Sequence, residues 1–306
     1  MYNAKLNYEQ DIIIDTINLM GIYRLSAGYD IPETNINAIG MGYRFPTING
    51  PLVGNVSLDR FFVTKDFFRQ YLGEYASFDG NVIDKKTKTQ ILGFNEAYVT
   101  SHSVSSSVGS IPTTSTQALV VGNIGGSAAT NLQRPGDEIF VSTSGAHIVD
   151  AEGNLLVANK NDNLFEDVYI PNQGSIKIEC DGHDGFTFNR VVSFDYNTQI
   201  SREPMFIIGK KFPVQVNSNL PISVSGNFSI EYDELLLKNL KDYFSSPQLK
   251  NIKIQLFDSK GYPGSSLIES YNIPNARLVG HELQSSANGK LEYSLSYVGY
   301  FNAHPQ

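Results

Sequence analysis

Gly54-Asn55-Val56-Ser57-Leu58-Asp59 returns as Gly226-Asn227-Phe228-Ser229-Ile230-Glu231, an offset of 172 from position 54 to position 226. In both blocks apolar side chains (Val56 and Leu58; Phe228 and Ile230) alternate with polar ones, the period-two signature of a strand that buries one face. A strand met twice in one chain shifts the fold question to a unit of about half the chain length, so the repeat has to be traced before anything else is assigned.

Further pairs flank this block in the same order. Upstream, Ile39-Gly40 and Arg44-Phe45-Pro46 are echoed by Ile208-Gly209 and Lys211-Phe212-Pro213, the first at an offset of 169. Downstream, Thr64 to Leu72 and Tyr232 to Phe244 each read as a short amphipathic helix; in the second, Leu236, Leu240 and Tyr243 fall on one stripe. Ala97-Tyr98-Val99-Thr100-Ser101-His102 then answers Ala276-Arg277-Leu278-Val279-Gly280-His281 at an offset of 179, and Val121-Gly122 answers Val298-Gly299. Offsets that drift slowly are what duplication followed by loop insertions and deletions leaves behind.

Between turn residues, the runs Ile12 to Leu19, Ile22 to Tyr29, Val53 to Phe62, Ala97 to Val104 and Thr116 to Val121 are rich in β-branched and aromatic residues, as are Val191 to Phe194, Ile222 to Glu231, Ile252 to Phe257 and Leu291 to Tyr300. The expected fold is mainly β: a β-sandwich or partial barrel with one short helix in each of two tandem domains. We place the first at 1–125 and the second at 181–306. The connecting segment, 126–180, opens on small residues, turns as a hairpin over Ala146 to Val157, and holds eight acidic against three basic residues.

Composition narrows the function classes. The chain has 306 residues, 41% of them hydrophobic, and a net charge of −8, the wrong sign for a surface that grips phosphates. An acidic protein can still surround DNA without holding it. No run approaches the ~20 apolar residues of a membrane helix, and the N-terminal residues do not read as a secretion leader, so synthesis in a cytoplasm and no membrane partner are expected. The single cysteine, Cys180, leaves no intrachain disulfide and no multi-thiolate metal site. Seventeen Tyr and eighteen Phe without any Trp suit cores and subunit contacts better than sugar platforms.

A search for chemistry finds little. None of His102, His147, His183, His281 and His304 stands at a paired metal-ligand spacing. Asp181-Gly182-His183-Asp184-Gly185 lacks the periodicity of a calcium loop and reads as a turn. His102 and His281 occupy matching repeat positions and read as structural groups, and Asp59 and Glu231 read as helix-start carboxylates. The tract Ser101 to Ser107 has no GxSxG turn, and no phosphate-cradling GxxxxGK[ST] loop exists. No catalytic, cofactor-binding or metal-binding residue is expected, and the chain does not read as an enzyme.

Each copy therefore runs as strands, a long strand ending in an acid, a short helix, and a strand that turns and pairs back. Pro51 to Asp59 and Leu220 to Glu231 resemble the long lumen-lining strand of tail tube proteins of tailed bacteriophages, and Val99 to Thr114 and Ile273 to Leu278 are similar to that family's later strands. The resemblance covers roughly 22 to 122 and 192 to 299. It implies a virion tail protein whose strands join those of neighbouring subunits into a β-barrel around a channel, with two fused copies giving homotrimeric rings of pseudo-sixfold symmetry that stack. Phage DNA and a tape measure protein would pass through the lumen; whether a sheath surrounds it is left open. The segment 126–180 has no place in a minimal tube domain. Two other readings stay open: a tail-end or baseplate hub adaptor that stops at one ring, and a carbohydrate-binding β protein.

Overall fold

A computed structural model describes residues 10–15, 17–30, 33–36, 45–48, 53–62, 65–84, 90–122, 124–125, 169–172, 174–180, 186–188, 190–208, 213–231, 250–258, 266–285 and 291–303. The first half contributes strands β1 (Gln10–Ile14), β2 (Ile17–Asn18), β3 (Ile22–Asp30), β4 (Glu33–Ile36), β5 (Phe45–Ile48), β6 (Val53–Phe61), β7 (Phe78–Asp84), β8 (Gln90–Ser107), β9 (Thr113–Val120) and β10 (Ile124–Gly125). The second contributes β11 (Ile176–Cys180), β12 (Phe186–Phe188), β13 (Val191–Met205), β14 (Gln215–Glu231), β15 (Lys250–Phe257), β16 (Leu267–Gln284) and β17 (Glu292–Phe301).

Fifteen of these strands form one sheet, and the halves repeat a single order within it. From the first half comes β3-β6-β9-β8-β7-β1-β2, and from the second β13-β14-β17-β16-β15-β11-β12. Registers agree to the residue. His102 faces Thr116 and His281 faces Leu295, both partners displaced by 179. Bulges fall at Val99/Ser101 in β8–β9 and at Leu278/Gly280 in β16–β17, again at 179. The small β4–β5 ladder corresponds to the tip of the β13–β14 hairpin: Glu33 pairs Ile48 and Ile36 pairs Phe45, as Arg202 pairs Ser218 and Met205 pairs Gln215. Even the strained positions correspond, because Glu96 (φ 52°) and Asn275 (φ 49°) both adopt the left-handed conformation that non-glycine residues rarely take.

The ladders revise the block that first revealed the repeat. Gly54 pairs Val120, and the pair displaced consistently with every neighbouring ladder is Val224 with Gly299, not Gly226 with Tyr297. The structural offset of this strand is thus 170 (54 to 224), two fewer than the sequence match suggests. A two-residue slip returns every side chain to its own face. Val56, Leu58, Phe228 and Ile230 are therefore buried under either alignment, and alternation could not choose between them.

Two expectations of fold class fail. The sheet is not closed or curled into a barrel: among the described strands its path runs from β12 to β2 without the two ends pairing, and β3 branches from it, pairing only with β6 among them. Nor do the halves form separate sandwiches, because hydrogen bonds run continuously from one to the other. Period-two alternation tells that a strand has a buried face; it does not tell what covers that face or whether the sheet closes. The expected helix over Thr64 to Leu72 is a five-residue 3-10 helix, Phe67–Tyr71, whose N-cap Asp66 makes no side-chain capping bond because its carboxylate is engaged elsewhere. Its counterpart over Tyr232 to Phe244, the hairpin Ala146 to Val157, and the turn Asp181 to Gly185 lie outside the described residues.

Among the described residues apolar side chains gather in two large clusters, one centred on each half, and a small one of Ile13 and Ile83. Phe194, Phe228, Tyr271, Ile273 and Tyr297 dominate one, and Leu58, Phe68, Phe78, Phe94 and Val99 the other. They interlock: Val104 from β8 belongs to the second-half cluster, and Ile200 and Ile222 belong to the first-half cluster.

Candidate assembly interface

The junction between the halves is a strand pair, β8 with β13. Ser101 to Ser107 lies antiparallel to Ser193 to Gln199 without a bulge, Thr198 opposite His102 and Tyr196 opposite Val104. Strand β8 can serve four neighbours because it is eighteen residues long: β7 covers one edge over its first part, β13 the same edge over its last part, and β9 the opposite edge, with the short β10 paired at Gly93 and Phe94. The serine-rich tract is thus a strand whose backbone is paired along both edges, by β9 and by β13.

A polar cluster fastens this junction. The His102 Nε2–H donates to Asp66 Oδ2 at 2.8 Å, and Nδ1 meets Thr116 Oγ1 at 2.9 Å. From the other half, the Tyr271 hydroxyl donates to the same Asp66 oxygen at 3.0 Å. Beside them Arg69 pairs with Glu269, also across the halves, and its guanidinium lies over the Tyr271 ring at 5.7 Å. Burial by itself would raise the Asp66 carboxyl; the charge and hydrogen bond of His102, and the bond from Tyr271, outweigh it and hold the group below its ordinary value. The same burial and the Asp66 charge push the Tyr271 phenol well up.

Asp66, His102 and Thr116 are aligned as an acid, an imidazole and a hydroxyl, the order of a nucleophilic triad. All three are buried, with the His102 and Asp66 side chains at 0% exposure. What the arrangement can do is hold two sheet segments together. A small cavity of about 100 Å³ adjoins it, lined by Asp66, Arg69, His102, Tyr196 and Tyr271. Asp66 Oδ1 has no hydrogen-bond partner among the described residues, which suits a bound water.

A second clamp sits at the hairpin tip. Arg202 donates through Nε to the Val99 carbonyl at 3.1 Å and through its terminal nitrogens to the carbonyls of Gly73, at 2.7 Å, and Glu74, while stacking over Tyr98 at 5.8 Å. Its partners are all first-half groups.

Of the residues singled out in the sequence, His102 and His281 do hold matching ladder positions, but their surroundings differ. His102 is sealed in the junction; His281 is exposed and stacks on Tyr293 at 6.1 Å between ring centroids. Asp59 does not start a helix: it accepts a bond from Ser115 at 2.6 Å across the β6–β9 ladder. Glu231 donates its amide to the Arg190 carbonyl and is not at the ladder equivalent of Asp59. Cys180 is buried at the end of β11. His147, His183 and His304 lie outside the described residues. Sequence reasoning missed Asp66, Arg69, Tyr271 and Arg202. The one signal for Asp66 was an acid three residues into a segment read as a helix, and helix periodicity hid it.

Fold and site together define, over the described residues, a mainly β protein of two like halves joined edge to edge within one sheet. No family model matches the chain, and no curated protein matches it.

Proposed function

We propose that the chain is a non-enzymatic structural protein that self-assembles into stacked rings, three chains to a ring with pseudo-sixfold symmetry, forming the tail tube of a bacteriophage through which DNA passes. The observation that carries this reading is the β8–β13 pair: two halves with one strand order already join along a sheet edge, the kind of contact by which repeated units assemble. Proteins rarely leave long sheet edges bare, because these invite uncontrolled pairing, and a head-to-tail contact between identical units builds rings or filaments. The net charge of −8 suits a wall that DNA and a tape measure protein slide past without sticking.

Electron microscopy of the purified protein tests the reading. Rings or tubes with apparent sixfold symmetry and three chains per ring are expected. Six chains per ring would overturn the pairing of halves as pseudo-equivalents, and single rings that never stack would replace the tube by a terminal adaptor.

A further inference from the structure

A large apolar side chain in contact with water is ordinary when it stands singly, and among the described residues the exposed ones stand singly in the sequence with one exception. Met205, Phe206, Ile207 and Ile208 follow one another directly, at 47%, 37%, 54% and 103% exposure. Val214, whose amide donates to the Met205 carbonyl at 2.9 Å, is 43% exposed beside them. A contiguous uncovered apolar run of this kind marks an interaction surface.

The run ends a two-stranded arm. Strand β13 pairs with β8 only as far as Gln199, and β14 pairs with β17 only from Ile222 onward. Beyond those points Ser201 to Met205 and Asn219 to Gln215 pair, among the described strands, with each other alone. Arg202 holds the base of the arm through its bonds to the Val99, Gly73 and Glu74 carbonyls. The apolar run is thus carried away from both cores on a fixed shaft whose backbone bonds are made internally. Charge sets the arm apart as well. From Pro204 to Ile230 the sequence has two lysines, Lys210 and Lys211, and no acidic residue, in a chain that holds 31 acids and a net charge of −8.

We infer that the β13–β14 arm is a membrane-contact element whose tip, Met205 to Ile208, enters the interfacial layer of an anionic lipid bilayer. Two observations favour lipid over a protein groove. Four successive residues cannot all point to one side of the chain, so the tip is apolar all round; a groove covers one side, whereas a hydrocarbon layer covers every side. The local charge is positive in an otherwise acidic chain, and the surface of an anionic leaflet attracts cations. Entry is shallow, so it needs no spanning run of ~20 apolar residues. Arm and tip stand independently of ring formation and do not draw on the tube reading.

Because the chain has no tryptophan, Ile208→Trp in the full-length protein places a single reporter at the tip. Added vesicles of phosphatidylglycerol and phosphatidylcholine in equal parts are expected to shift its emission to the blue, and brominated acyl chains to quench it. Ile111→Trp, between β8 and β9 at the opposite end of β13, is expected to show neither effect. In vesicle flotation the unmodified chain is expected to bind pure phosphatidylcholine about 30-fold more weakly than the mixed vesicles, the worth of two cations at an anionic surface. Ile207→Asp with Ile208→Asp is expected to weaken binding to the mixed vesicles about tenfold, with an unchanged urea midpoint because both positions are exposed. No blue shift at Ile208→Trp, an equal shift at Ile111→Trp, equal flotation on the two vesicles, or full binding by the double aspartate variant overturns the inference. So does a blue shift without lipid that grows with protein concentration, which would give the tip to another copy of the chain. Vesicle binding and ring formation are read separately, so either proposal can fail while the other stands.

Discussion

Asp66 illustrates how one side chain can hold two halves of a chain that are far apart in sequence, since its carboxylate accepts from His102 in the first half and from Tyr271, 205 positions away. Removing one partner of a buried pair strands the other without compensation, at about 3–5 kcal/mol. His102→Ala is therefore expected to lower stability by about 3 kcal/mol in urea denaturation, and Tyr271→Phe by about 1 kcal/mol, the worth of a hydrogen bond whose donor alone is deleted. The depressed Asp66 carboxyl also links stability to pH. Its contribution is complete above the unfolded carboxyl value, about 4, and drains away as pH falls from there through the lower folded value. Unfolding midpoints measured between about pH 2 and pH 7 should show that acid loss in the wild type. The Asp66→Asn variant should be less stable near neutrality and visibly less acid-sensitive.

Among the elements, β7 and β8 show how closely a ladder can be packed. Gly80 faces the Phe94 ring, and a Cβ at that position would come within 2.1 Å of it. Gly80→Ala should cost about 1–3 kcal/mol, the usual price of overpacking, read as a shifted urea midpoint. A substitution of opposite sign is available at Glu96, whose φ of 52° is one that side chains with a Cβ rarely take. Glu96→Gly should hold or raise stability by up to about 1 kcal/mol, provided its amide keeps the 2.8 Å bond to Asp79 Oδ1. Both positions bear on β8, the strand that carries the junction, so these changes should also alter assembly in the direction of their effect on folding.

At the scale of the whole molecule the halves are not independent. Val104 packs in the second-half core, Ile200 and Ile222 pack in the first, and Arg202 bonds three first-half carbonyls. Urea unfolding should therefore be a single transition, coincident by tyrosine fluorescence and by backbone circular dichroism, with no intermediate in which one half alone is folded. Two separated transitions would mean that the junction contributes little. Phe194→Ala, in the second-half core, should lower the whole transition by about 3–5 kcal/mol and not a half of it.

What the sequence by itself determined was local and periodic: alternating residues defined β6, β9, β14 and β17, turn residues bounded them, and ordered matches exposed a chain that repeats. It also placed His102 and His281 at matching positions, because the ladder offset there equals the sequence offset of 179. Three things were decided only in three dimensions. The register of β14 on β17 came out two residues from the Gly54 and Gly226 match, since a two-residue slip leaves inside and outside unchanged. The sheet ran open through β8 and β13 instead of closing, because ladder partners 86 to 98 positions apart leave no periodic trace. The junction cluster of Asp66, His102, Thr116 and Tyr271 likewise exists only through folding: each member is an ordinary polar residue in its own segment, and burial against the others is what gives it a role.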